Sequence, residues 1–130
     1  MSEDSITQDQ NDRINAVLLK LGDSGIDMSA VVSRDGTLIA SYTAPGDEDK
    51  IFAPMYAAML GAAEEAASEL RLGVPHRVKL EVGDKKMVVT GAGPKALLVA
   101  LVGEKANYSK VVAEIDKAAG DIKSILASKR

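Results

Sequence analysis

Apolar residues first recur at helical spacing. Ile14, Val17, Leu18 and Leu21 stand at i, i+3, i+4 and i+7, which sets them on one stripe of a helix. Thr7 and Gln10 precede them at capping-box spacing and Gly22 follows, so a first amphipathic helix is expected there. The period then falls to two. "MSAVVSRDGTLIASYT" holds Asp35-Gly36 between two β-branched, apolar runs; the dipeptide can supply the positive φ of a tight turn, predicting antiparallel strands over about 28–33 and 37–43. "APGDEDK" breaks the pattern with Pro45 and Gly46, then offers Asp47 as N-cap, with Glu48 and Asp49 at the positive end of a second helix that runs to about Arg71. "HRVKLEV" alternates strictly, Val78, Leu80 and Val82 on a covered face and Arg77, Lys79 and Glu81 on a solvated one.

Gly83-Asp84 and Gly91 to Pro94 turn the chain twice more, into "KKMVVTGAG" and "KALLVALVG". The last strand, 96–102, is apolar throughout, as a central strand covered on both faces must be. A closing helix starts near Asn107 and presents Val111, Val112, Ile115, Ala118, Ala119, Ile122, Ile125 and Leu126 on one side. The order is α-β-β-α-β-β-β-α, an α/β (α+β) class, with residues 1–8 as a flexible polar tail and 9–130 as one domain. Pro54 fits less simply: inside the second helix it deletes a backbone hydrogen bond, so it either bends the helix or delays its start to Ile51.

That second helix, "IFAPMYAAMLGAAEEAASEL", has almost no polar residue in its first half. A 100° wheel puts Phe52, Met55, Tyr56, Met59, Ala63, Ala66 and Leu70 on the face expected to pack on the sheet. The back is Ala53, Ala57, Ala58 and Gly61, followed by Glu64, Glu65, Ser68 and Glu69. Small residues let another backbone approach, and a twofold axis would supply an identical helix, antiparallel, across that patch. "HRVKLEV", with its charged face, reads as a sheet edge that self-pairing would close. The plainer alternative is that an Ala-rich back is simply a good helix former in solvent.

Composition narrows the function classes. Hydrophobic residues make up 46% of the chain and aromatics 3%, so the core is aliphatic and a base-stacking surface or aromatic cage is disfavoured. A net charge of -3 argues against a phosphate-backbone binder, and no nucleic-acid partner is expected. Zero Cys removes thiolate chemistry and Cys-ligated zinc. The acidic start "MSEDSITQDQNDR" does not resemble a signal peptide, and no apolar run reaches the roughly 18 residues of a membrane span, so a cytoplasmic address is expected.

Candidate chemistry is sparse. His76, the one imidazole, stands beside Pro75 and Arg77 without a nucleophile in its motif. "GDEDK" lacks the alternating ligand spacing of an ion loop. "GAGPKA" has the glycines of a phosphate loop but not its Gly-Lys-Ser/Thr ending, and it leads into a strand. Arg71 and Arg77 are the residues that could act as a catalytic finger in a partner's site, although lone surface arginines rarely do. No cofactor, metal or catalytic residue is assigned.

With these pieces in order, the chain resembles a Roadblock-family domain of the dynein light-chain type. The residues that carry the resemblance are "SAVVSRDGTLIAS", "DEDKIFAPMYAAMLGAAEEAASELRLG", "HRVKLEVGDKKMVVTGAGPKALLVALV" and "ANYSKVVAEIDKAAGDIKSIL". The resemblance implies a five-stranded antiparallel sheet with the second helix on one face and the terminal helices on the other. It also implies a homodimer, or a pair with a related Roadblock subunit, joined through the second helix and third strand, and a non-enzymatic adaptor that regulates or scaffolds a Ras-like small GTPase. The expected dimer interface is Met55, Ala57, Ala58, Met59, Gly61, Ala62, Glu65, Arg77, Lys79 and Glu81. The expected partner surface is Glu64, Glu65, Ser68, Glu69 and Arg71. The competing expectation is a small-molecule sensor of PAS or profilin-like type, which needs a cavity with converging polar groups.

Overall fold

The computed structural model describes residues 6–42 and 48–128. Its elements are α1 (Gln8–Gly22), β1 (Ile26–Ser33), β2 (Leu38–Tyr42), α2 (Glu48–Glu69), β3 (Arg77–Val82), β4 (Lys85–Gly91), β5 (Ala96–Val102) and α3 (Tyr108–Ala127). The order matches the sequence expectation. The strands form one antiparallel sheet in the order β2-β1-β5-β4-β3.

β5 is central, and its alternate side chains enter two separate cores. Leu98, Ala100 and Val102 join Ile14, Leu18, Ile115 and Ile122 beneath α1 and α3, whereas Leu97 and Val99 join Ala53, Tyr56 and Leu60 beneath α2. A strand buried on both faces has no position for a polar residue, which is why this one has none.

The helix ends are fixed locally. The Thr7 hydroxyl accepts from Gln10 N–H at 3.0 Å while the Gln10 side chain accepts from Thr7 N–H at 3.0 Å, completing the capping box. Ile6 packs against the α1/α3 core, so the folded chain reaches back to residue 6. Asn107 caps α3 by accepting from Lys110 N–H at 3.2 Å. The Asp47 cap expected for α2 lies outside the described residues.

Pro54 resolves as an interior residue: α2 is already helical from Glu48 and continues through it. The β1–β2 turn lies against it. Gly36 has φ +92°, and a Cβ there would stand 2.9 Å from Pro54 Cα, so the turn needs glycine both for its backbone angle and for this approach.

Candidate partner-binding surface

α2 is rotated relative to the expectation. Among its described side chains, Ala53, Tyr56 and Leu60 are the buried ones that seat it on the sheet, with Ala57 and Met59 half-buried against the same core. Phe52, Met55 and Leu70, expected to face the sheet, are exposed instead, Met55 to 55% and Leu70 to 68%. Ala53 and Ala57 are thus corrected from the back of the helix to its inner side. Ala58, Gly61, Ala62 and Glu65 are exposed, as the dimer expectation requires, and a Cβ at Gly61 would meet nothing within 4 Å.

The outcome is a flank stripe that sequence reasoning missed in part: Phe52, Met55, Ala62, Ala66 and Leu70 are exposed, with the half-buried Met59 between them. The steps of three or four residues keep these side chains on one flank of a helix with 3.6 residues per turn. The signal is present in the sequence, but a stripe that holds the largest apolar residues of a helix reads as its core face.

β3 is an edge strand, paired to β4 alone among the described residues. On the α2 side of the sheet Val78 is half-buried and Leu80 remains 44% exposed; the Val82 side chain lies outside the described residues. The expected covered face is therefore covered only in part.

Arg77, Lys79 and Glu81 do not share a surface with α2. They lie on the opposite side, where Arg77 donates to both Asp116 oxygens of α3 at 2.7 and 2.8 Å. His76 stands 3.3 Å from the same carboxylate. Lys79 lies over the Tyr108 ring, 4.3 Å from its centroid, and 3.6 Å from Glu81. What β3 can offer a second copy on the α2 side is its open backbone edge with Val78 and Leu80, not these three charges.

The other sheet edge makes a side-chain contact with α1. Asn11 of α1 donates its side-chain N–H to the Ile39 carbonyl of β2 at 3.3 Å, occupying a backbone acceptor on that short strand.

The acidic end of α2 divides as well. Glu64 accepts two hydrogen bonds from Arg34 of the β1–β2 turn, both 3.0 Å, while Arg34 also donates to the Gly93 carbonyl at 3.0 Å. Glu64 therefore ties α2 to two turns while part of its side chain stays exposed beside Ser68 and Arg71. Glu65, Ser68 and Glu69 are exposed, and Arg71 lies just beyond the helix with φ +57°.

An open cleft of about 600 Å³ lies between the β1–β2 turn and the end of α3. Among the described residues no group of three His, Asp or Glu side chains could hold a metal ion, and no helix is long and apolar enough to cross a membrane.

Comparison with known proteins agrees with this architecture. An uncharacterized protein of Methanocaldococcus jannaschii is 35% identical over 114 residues, spanning 86% of this chain and 98% of its own length. The gliding protein MglB of Thermus thermophilus superposes with a TM-score of 0.85 at 20% identity, covering 94% of each chain. A structure of MglB with tetrameric arrangement superposes at 0.87 with 21% identity, covering 96% of each. The Roadblock/LC7 domain model matches residues 14–102, from the middle of α1 to the end of β5. The chain belongs to the Roadblock/LC7 domain family.

Proposed function

We propose that the chain is a non-catalytic homodimeric adaptor that binds a Ras-like small GTPase. The observation that carries this reading is the flank stripe of α2 beside an open β3 edge. Monomeric proteins rarely leave so continuous an apolar surface to water, and each large side chain covered contributes on the order of 1.5–3 kcal/mol.

The stripe is also graded by size. Phe52, Met55 and Met59 occupy its first half, Ala62 and Ala66 its second, before Leu70. An antiparallel pairing about a twofold near Gly61 sets Phe52 against Leu70, Met55 against Ala66 and Met59 against Ala62, large upon small at the inner levels. Parallel pairing would set Met on Met and leave gaps between alanines. A related Roadblock subunit with the same stripe would serve equally as the second copy. The tetrameric arrangement reported for MglB supports self-association within this fold.

Light scattering at tens of micromolar should give about twice the 13.6 kDa chain mass. Titration calorimetry against the source organism's small GTPases, loaded with a GTP analogue, should then find a binding partner. A monomer, or a dimer that binds none of them, would overturn the proposal.

The sensor reading draws on the 600 Å³ cleft, but the polar groups there are already engaged. The Asp35 carboxyl is held below the ordinary carboxylate range by hydrogen bonds from Ser33 and Thr37, and Arg34 is held by Glu64 and Gly93. A thermal-shift screen of common metabolites should accordingly give no increase in melting temperature; a tight binder would favour the sensor.

A further inference from the structure

The open edge of β3 carries a charge pattern that reads differently in each possible pairing. Lys79 and Glu81 are both exposed on the α3 side of the sheet, and the exposed Leu80 lies between them on the α2 side. Neither charge is held by an opposite charge from another element: Lys79 rests over the Tyr108 ring, and among the described residues the ion-pair partner of Glu81 is Lys79 itself. Arg77, by contrast, is committed to both oxygens of Asp116.

A second copy joined edge to edge about a twofold perpendicular to the sheet sets one β3 residue opposite itself, and every other pair follows from that centre. β3 has six residues, so the centres are few. Centring on Val78 sets Arg77 opposite Lys79, and centring on Glu81 sets glutamate on glutamate. Centring on Lys79 sets lysine on lysine, and the Arg77 that it brings opposite Glu81 is already held by Asp116. Like charges directly opposite one another destabilise a strand pair. Centres at the strand ends leave most of the edge unpaired.

Centring on Leu80 has none of these faults. Lys79 then faces Glu81 of the second copy, symmetry repeats the pair, and Leu80 covers its own counterpart on the α2 side. We infer that β3 joins β3 of a second copy in this Leu80-centred register, and that Lys79 and Glu81 act there as a selectivity code. A Roadblock subunit with like charges at the two positions would bring at least one repulsive pair to the join, so the code favours an identical chain. This inference rests on the dimer of the adaptor reading, to which it adds register and choice of partner.

The test compares the wild type with Lys79→Glu, Glu81→Lys and the double exchange Lys79→Glu/Glu81→Lys. Sedimentation equilibrium measures self-association and circular dichroism the fold. Each single variant replaces two attractive pairs by two repulsive ones and should dimerise at least about tenfold more weakly. The double exchange should recover most of that loss, because opposite charges face each other again in the Leu80-centred register, whereas centring on residue 79 or 81 would keep a like pair. At a concentration where each single variant alone is monomeric, mixing them in equal amounts should restore the dimer mass, since two glutamates then face two lysines. Single variants of wild-type affinity, a double exchange no stronger than the weaker single variant, or a mixture that stays monomeric would overturn the register and leave the dimer standing. A monomeric wild type removes the dimer and this inference with it.

Discussion

Leu60→Ala should destabilise the fold by about 2–5 kcal/mol, the range for deleting a buried leucine side chain that the surroundings cannot refill. Leu60 is fully buried at the middle of α2, and among the described side chains of that helix its large buried companion is Tyr56. Among the described residues the cluster under α2 is the smaller one, whereas that under α1 and α3 draws on several leucines and isoleucines from both helices and the sheet. The loss should fall unevenly. Urea unfolding measures the total, and hydrogen exchange should show α2 amides losing protection well before those of α3. A loss under about 1 kcal/mol would mean that α2 is held by something other than this anchor.

Ala62→Arg should halve the mass seen by light scattering without altering the far-ultraviolet circular dichroism. Ala62 is exposed within one protomer and arginine is a good helix former, so the lone fold loses little. Across the proposed twofold the same position faces Met59 of the second copy, and symmetry introduces the bulky cation twice. Association should weaken by at least about 100-fold, or about 2.8 kcal/mol. An unchanged dimer mass would show that the copies meet elsewhere.

The order of elements was legible because punctuation and periodicity agree: Thr7 and Gln10 open α1, Asp35-Gly36 makes the first hairpin and Asn107 caps α3. The rotation of α2 was not. A wheel orients a helix by contrast between its sides, and the first half of α2 has almost none, so size decided the expectation and misled it. The β1–β2 turn seats α2 closely enough that Gly36 lies against Pro54, and at this level it is the small Ala53 that meets the sheet.

Alternation in β3 correctly separated Arg77, Lys79 and Glu81 from Val78 and Leu80. It could not show that Asp116 and Tyr108, brought over by α3, already engage Arg77 and Lys79. The Glu64 ion pair was hidden for the same reason: its partner, Arg34, is thirty residues away along the chain.

The Asn11 side chain resting on the Ile39 carbonyl bears on stoichiometry. Were the proposed dimer to join through β3, the sheet edge left over would be β2, where the Asn11 contact would have to be displaced before a further strand could use the Ile39 carbonyl.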